Sequence, residues 1–179
     1  ATTATKEGGF LLAGTSYSSL AFDKIEKSFG GSDLWLIKLN ENGEEEWQKT
    51  IGTAKNEEAK SVVQTMDLGY FVGGDVNGSS QGLGGKDALI IKLDKTGKVI
   101  SQTMLGGTGS DEEEKMIPTK DGGVLLGIYS RSGIPLNPPK EGSPAAFKTI
   151  SKTSGNFGEG DYWVVKLNKD GALQWQKNF

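Results

Sequence analysis

Cysteine and histidine are both missing from this chain of 179 residues. Without cysteine there is no disulfide framework, no thiolate nucleophile and no cysteine-ligated metal centre. Without histidine a Ser-His-Asp triad is excluded, and the commonest ligand of transition metals is lacking. We therefore expect no cofactor, no metal site and no catalytic residues of these classes.

Long apolar runs and blocks of positive charge are missing as well. No run of about 18 apolar residues occurs, so the sequence predicts no membrane-spanning helix. The 20 basic and 23 acidic side chains give a formal charge of −3 without a basic block, which argues against a nucleic-acid partner. Glycine is abundant, with 27 copies against 5 prolines, and this composition predicts many turns in an ordered chain.

A segment of 16 residues recurs three times along the chain. Its copies begin at Asp33, Asp87 and Asp161, so they are spaced by 54 and 74 residues. Each copy keeps Asp, Lys-Leu, an Asn or Asp, Gly and Gln at the same internal positions. Self-similarity at such a period indicates repeated structural units.

An acidic-glycine turn and a short apolar run precede each copy, at residues 5–14, 65–74 and 119–128, which is typical of a β-hairpin. The middle unit therefore contains four predicted strands: A (59–66), B (70–76), C (88–93) and D (99–105). Gly43, Gly97 and Gly171 close the C–D turns, where we expect two-residue hairpin loops with positive φ.

Strand A has a helical alternative, because residues 56–64 could also form a helix. The equivalent stretch of the third unit contains Pro118, which would break a helix interior. The first unit has Thr-Thr-Ala-Thr at this place, and threonine favours strands. We therefore predict a strand.

Four antiparallel strands that repeat at this spacing are typical of propeller blades. Strand C is apolar on both faces, which predicts a sheet buried between two layers. We predict an all-β fold, a β-propeller portion of three four-stranded antiparallel blades at residues 1–52, 53–106 and 107–179 of one domain. Because complete propellers usually have about 4–8 blades, we expect a fragment of a larger propeller or a half-ring that pairs with a second copy.

The repeat also resembles a known family. The pattern Gly-Gly-Ser-Asp-x-Trp-x-x-Lys-Leu-Asn-x-x-Gly-x-x-x-Trp-Gln-Lys, followed by Glu-Ala-x-Ser-Val-Val-Gln-Thr-x-Asp-x-Gly-Tyr, is similar to the β-propeller repeats of secreted and cell-surface Bacteroidetes proteins that are associated with type IX secretion. The resemblance implies an extracellular or cell-surface location. The sequence departs from the repeat at Ser101, which replaces the tryptophan of strand D.

A weaker similarity joins residues 94–97 to the Asp-x-x-Thr-Gly-x-x-x-Trp repeat of quinoprotein propellers. This copy lacks the tryptophan, and the copies that carry Trp47 and Trp175 lack Thr-Gly. We interpret these two tryptophans as packing between blades, since an aromatic residue at one position per repeat is usually part of the core.

The connections between strands predict two unequal rims. The short A–B and C–D turns share one rim, and the B–C and D–A loops share the other. The B–C loops span residues 15–32, 77–86 and 129–160, and the third is a long insertion that holds most of the prolines. We expect a protein or glycan partner at this rim. Our candidate contact residues are Tyr129, Arg131, Asn156 and Phe157, because aromatic and arginine side chains often anchor interfaces.

Acidic residues also collect at the predicted D–A loops, at Glu57, Glu58 and residues 111–114. Such carboxylates could act as the acid and base of a glycosidase, but we favour a solvated, charged loop. Residues 75–79, Asp-Val-Asn-Gly-Ser, resemble the start of a calcium loop that lacks its distal glutamate, so calcium is a minor alternative.

One lysine and one aspartate recur in every unit. Lys38, Lys92 and Lys166 follow the apolar run of strand C, and we expect each to pair with an acid near the tight turn. The aspartates that begin strand C are expected to accept hydrogen bonds from loop amides. Because these residues repeat, we interpret them as architectural.

The sequence thus predicts a non-catalytic binding or scaffolding module of a secreted or cell-surface protein. One alternative is a carbohydrate-active enzyme or lectin that uses the rim acids and aromatic residues. The other is a structural subunit of a surface assembly, joined to further blades of the same parent chain or to itself.

Overall fold

The computed structural model describes residues 1–20, 22–78, 83–136 and 147–179. Within these ranges all the regular elements are strands, and no helix is long and apolar enough to cross a membrane. The strands are β1 (Thr2–Ala4), β2 (Phe10–Ser16), β3 (Asp33–Leu39), β4 (Glu45–Ile51), β5 (Asn56–Gln64), β6 (Tyr70–Asn77), β7 (Lys86–Leu93), β8 (Val99–Gly106), β9 (Asp111–Pro118), β10 (Val124–Ser130), β11 (Lys148–Ser151), β12 (Asp161–Leu167) and β13 (Leu173–Asn178).

The strands form three sheets, one for each sequence repeat. Sheet 1 has the order β1-β2-β3-β4, and sheet 3 has the order β9-β10-β12-β13. Sheet 2 contains β5-β6-β7-β8, all antiparallel, with β11 added in parallel beside β8. The all-β prediction is confirmed. The prediction of four strands in every sheet is wrong for sheet 2, because part of the insertion of the third repeat returns to the edge of the second.

The predicted strands A to D of the middle unit correspond to β5 to β8. The helical alternative for strand A is wrong, since β5 and β9 are both strands and Pro118 is the last residue of β9. β5 begins at Asn56, three residues before the predicted strand. Each of β5 and β9 contains a bulge, between Ala59 and Ser61 and opposite Gly127 and Ile128.

The C–D turns carry glycine because its φ is positive, as predicted, but their loops are longer than the predicted two residues. Gly43, Gly97 and Gly171 have φ values of 81°, 82° and 78°. In the first of these turns Gly43 N donates to Asn40 O, and Asn40 N donates to Glu44 O. This pattern is a three-residue loop, in which only the glycine needs a positive φ. The expected two-residue loop is therefore wrong.

The three sheets pack face to face in chain order. We call the face that a sheet turns to the next repeat its forward face, and the opposite face its rear face. Between sheets 1 and 2, the first junction, the forward residues of sheet 1 and the rear residues of sheet 2 form one core cluster that includes Leu11, Leu36, Val72 and Leu89. Between sheets 2 and 3, the second junction, a separate cluster includes Phe71. Sheet 2 thus buries apolar residues on both faces, sheet 1 on its forward face and sheet 3 on its rear face.

Candidate binding rim

The B–C loops and the D–A loops lie side by side at one end of the sheets. In the first junction Gly31 N, in a B–C loop, donates to Lys55 O in the D–A loop, at 3.1 Å. In the second junction Gly85 N donates to Gly109 O at 2.9 Å. Short parallel β-bridges continue this contact. Ser32 pairs with Asn56 of the second unit, and Lys86 pairs with Ser110 of the third unit. We call this end, formed by the B–C and D–A loops, the long-loop rim.

Tyr129 and Arg131 lie together at the long-loop rim. Tyr129 is the penultimate residue of β10 and is half-buried, while Arg131 directly follows the strand and is exposed. The Arg131 guanidinium carbon lies 5.1 Å from the centre of the Tyr129 ring, and its Nε donates to the phenol oxygen at 3.4 Å. The hydrogen bond to Tyr129 raises the pKa of Arg131. The pair presents one planar cation on an aromatic ring.

Asn156 and Phe157 lie in the same rim, in the loop that leads to β12. Phe157 N donates to both carboxylate oxygens of Asp161, while its ring is exposed. The Asn156 amide donates to Gly158 O and is exposed. Tyr129 fills the space beside Gly160, so this loop packs on the tyrosine. The structure therefore brings the predicted contact residues to one side of one rim.

Two buried lysines hold the B–C loops of the first and third units, and the sequence reasoning missed both. Lys24 Nζ donates to Ser16 Oγ at 3.2 Å and to Ser18 O at 2.7 Å. Lys152 Nζ donates at 2.9 Å to Ser130 Oγ and to Ser132 O, and it lies 3.5 Å from an Asp161 oxygen. The signal was available, since each lysine stands nine residues before the aspartate that opens strand C and follows a Ser-x-Ser at the end of strand B.

The glutamine that ends each 16-residue copy also fastens these loops in the first and third units. Gln48 Oε1 accepts from Trp35 Nε1 and from Ile25 N, both at 3.1 Å. Gln176 Oε1 accepts from Trp163 Nε1 at 3.0 Å and from the amide of residue 153 at 3.2 Å. The long insertion is therefore held to its sheet by the same glutamine and tryptophan hydrogen bonds as the shorter first B–C loop.

The prediction of solvated rim acids is wrong for Glu57, Asp111 and Glu113. These residues lie in β5 and β9, not in loops, and their side chains are fully buried. Glu57 Oε2 accepts from Thr53 N at 3.0 Å, and burial raises the pKa of this carboxyl above its ordinary value. Asp111 Oδ2 accepts from Gly107 N at 2.9 Å. The carboxylates of Glu57 and Asp111 thus accept hydrogen bonds from the backbone of the turns that lead into β5 and β9.

A charged cluster in the second junction surrounds Glu113. Its Oε1 accepts from Ser61 Oγ at 2.7 Å, and its backbone N donates to Asp75 Oδ1 at 2.7 Å. Burial and the neighbouring Asp75 charge raise the pKa of Glu113 to about 7, while Ser61 and Lys60 act in the opposite direction. Lys60 and Lys86 lie 3.2 and 3.7 Å from Asp75 Oδ2.

The calcium alternative was placed on residues 75–79, of which residue 79 lies outside the described residues. Asp75 is buried within β6, where its carboxylate is engaged by Glu113 N and by lysines. Among the described residues no group of three or more acidic side chains is placed to hold a metal ion. Residues 75–77 thus belong to β6 and not to the open loop that the alternative assumed.

The repeated lysines behave as predicted. Lys92 and Lys166 pair with the aspartate of their own A–B turn, Asp67 and Asp121, at 3.2 and 2.9 Å. Lys38 pairs instead with an acid of β4. Of the repeated aspartates, Asp33 and Asp161 accept from the amides of Phe29 and Phe157, as expected. Asp87 is buried at the same position of the second unit.

The two strand-D tryptophans differ in their surroundings. Trp47 packs edge-on against Tyr70 of sheet 2, with ring centres 6.2 Å apart, so packing between units is confirmed for this residue. Trp175 occupies the same position in sheet 3 and is 44% exposed. It makes no such contact among the described residues, and the prediction is not met there within one chain.

Comparisons with known proteins give little beyond this geometry. No family model and no curated protein matches the chain. A crystal structure of a protein of unknown function from Bacteroides caccae aligns with 98% of the chain, at 14% identity and a TM-score of 0.40. The chain spans 59% of that protein's length. This likeness assigns neither a family nor a function to the chain.

Proposed function

We propose that the chain is a β-propeller-type repeat module that binds a protein or glycan partner through the long-loop rim and catalyses no reaction. The blade arrangement is supported by three successive four-stranded units that stack face to face in chain order. The location outside the cell or on its surface rests on the sequence resemblance to secreted Bacteroidetes repeats.

One observation carries the binding role: the exposed Arg131 lies on the Tyr129 ring at the long-loop rim, where the loops differ in length between units, while the repeated lysines and aspartates of strand C are used inside the structure. Arg131 on Tyr129 has no equivalent in the first unit, where Tyr17 and Thr15 occupy the two positions. An exposed arginine beside an aromatic ring and the exposed Phe157 is the composition that interfaces favour.

The enzyme alternative requires acids that a substrate can reach. Glu113 has a pKa near the value that suits a general acid. Its side chain is fully buried, however, as are those of Glu57 and Asp111. General acid–base catalysis needs direct hydrogen-bond reach, or reach through one water, to the substrate. The burial of these carboxylates therefore supports a structural role in place of catalysis.

Binding to a glycan array and to an array of extracellular proteins, with a double variant, tests the proposal. We expect Arg131→Ala with Phe157→Ala to abolish binding of whichever probe the wild type retains. The matched control is Met66→Ala with Lys169→Ala, which removes an exposed apolar and an exposed basic side chain from the opposite rim. The control should bind as the wild type does.

Two results would contradict the proposal. One is binding that survives the rim variant and is lost in the control, since the partner would then dock elsewhere. The other is release of sugar from an array glycan that is lost in Glu57→Gln or Asp111→Asn while circular dichroism shows the variant to be folded, because catalysis would then depend on these carboxylates.

A further inference from the structure

The two end sheets each leave one apolar face open. Tyr162 and Phe179, on the forward face of sheet 3, are 54% and 69% exposed. Leu34 and Ile51 occupy the same positions of the repeat in sheet 1, and both are buried under sheet 2. Sheet 3 thus carries large apolar side chains at the positions that a following sheet covers elsewhere in the chain.

The equivalent tryptophan of sheet 1 indicates which features a surface that buries Trp175 must have. Its counterpart Trp47 lies against Tyr70 and against the C–D turn of the next unit, where a Cβ at Gly97 would be 3.0 Å from the indole ring. A surface that covers Trp175 in the same way must offer an aromatic ring and a glycine turn at the same spacing.

The rear face of sheet 1 offers these features. Phe10 stands at the position of Tyr70 and is 44% exposed, and Gly43 stands at the position of Gly97 in an open turn. Trp35 is half-buried, whereas Leu89, at its position in sheet 2, is buried in the first junction. The chain therefore presents both halves of the contact that joins its own sheets, one at each end.

The first B–C loop supports the same match. In the third unit Ile150, in β11, packs at the second junction while its strand runs beside β8 of the preceding sheet. Phe22 holds the same position of the repeat in the first unit and is fully exposed. Gln48 makes hydrogen bonds to the first B–C loop at the same repeat positions at which Gln176 makes them to the third. The two loops are therefore held alike, and Phe22 lies where Ile150 would contact a preceding sheet.

We propose that two copies of this chain associate head to tail, with the forward face of sheet 3 in one copy docked on the rear face of sheet 1 in the other. Trp175 then packs against Phe10 and the Gly43 turn, and Phe22 covers the edge beside β13. The contact is a third version of the junction that the chain already forms twice. Such a heterologous contact closes a ring or continues into a longer assembly.

Sedimentation velocity of the full chain over a wide concentration range tests this contact. We expect species heavier than the 19.0 kDa monomer to grow with concentration. Trp175→Arg and Phe10→Arg should each sediment as a monomer, while Met66→Arg, exposed in the A–B turn of sheet 2 and outside the proposed contact, should associate like the wild type. Unchanged far-ultraviolet circular dichroism verifies that each variant is folded.

An equimolar mixture of the two monomeric variants tests the direction. Trp175→Arg keeps an intact sheet 1 and Phe10→Arg keeps an intact sheet 3, so the mixture should form a dimer joined by one contact. A wild type that stays monomeric at every concentration overturns the proposal. Self-association of Phe10→Arg alone also overturns it, since sheet 3 would then be pairing with itself.

Discussion

The two junctions between consecutive sheets share one backbone geometry but differ in charge. In the first, Ala59 N donates to Thr15 Oγ1 at 3.1 Å. In the second, Glu113 N, at the same position of the repeat, donates to Asp75 Oδ1 at 2.7 Å. Both donors lie at the bulge of strand A, where the extra residue frees an amide for the neighbouring sheet. The repeat therefore keeps the hydrogen bond while its acceptor changes from the hydroxyl of Thr15 to the buried carboxylate of Asp75, which lies beside the buried Glu113.

The largest expected difference comes from removing the acceptor at each junction. Asp75→Ala should lower the free energy of unfolding by about 3 kcal/mol, because it leaves the buried Glu113 N without its acceptor and removes the nearer of the two carboxylates that pair with Lys60. Thr15→Ala should lower it by about 1 kcal/mol, since a neutral hydrogen bond is lost. Urea denaturation measures both.

The double variant Asp75→Thr with Glu113→Ala gives the second junction the residues of the first. Its unfolding free energy should lie closer to that of the wild type than the value for Asp75→Ala. Equal losses in Asp75→Ala and Thr15→Ala would contradict the distinction between a charged and a neutral acceptor of this hydrogen bond.

The second junction should also respond to pH. The folded-state pKa of Glu113, about 7, lies above its ordinary value of 4.5, so the folded chain holds this proton more tightly than the unfolded chain. Stability from Glu113 is therefore full below about pH 4.5 and is lost as the pH rises towards 7. Glu113→Gln stays neutral and should gain about 2 kcal/mol relative to the wild type between about pH 5 and pH 8.

Urea denaturation at the two pH values measures this gain, with the exposed neighbour Glu114→Gln as the control. Asp75 and Lys60 face Glu113 and are unchanged in both variants. A constant difference between wild type and Glu113→Gln across this range would show that the buried carboxylate does not titrate as described.

The first junction has an additional pair of hydrogen bonds at the rim formed by the short A–B and C–D turns. Gln64 Oε1 accepts from Lys6 N at 2.7 Å, and its Nε2 donates to Glu7 at 2.8 Å. Pro118 stands at this position in the third unit and offers no such side chain. Gln64→Leu should cost about 1 kcal/mol, because the Lys6 amide loses its acceptor. Thermal unfolding measures the loss, and no change would show that this link does not stabilise the junction.

The strand order could be predicted from the sequence repeat, whereas the burial of the acidic residues in strand A could not. Glycine turns, apolar strand C and the 16-residue period placed the strands within a few residues. The run Asp-Glu-Glu-Glu at residues 111–114 looked like a solvated loop, because charge density in sequence does not reveal the alternation of buried and exposed side chains in a strand. Lys152 was missed because its match to Lys24 is visible only when the two loops of unequal length are aligned backwards from the aspartate that opens strand C.

The smallest expected effect concerns the A–B turn between the two junctions. Leu68 has a φ of 64°, in the left-handed region, while Gly8 and Gly122 hold positive φ at the same position in the other units. Leu68→Gly should raise the free energy of unfolding by about 0.7 kcal/mol, because the strain of a leucine in this region exceeds the entropy cost of glycine. Gly122→Leu is the reverse control and should destabilise the chain. A loss of stability in Leu68→Gly would show that the leucine side chain matters more than its backbone.

Amide hydrogen exchange at Ala59 and Glu113, followed by NMR, tests most directly whether one repeated hydrogen bond joins consecutive sheets. The account predicts that both amides are protected, that Thr15→Val speeds exchange at Ala59 alone, and that Asp75→Ala speeds exchange at Glu113 first. Exchange at the rate of an unstructured amide at both residues in the wild-type chain would contradict it.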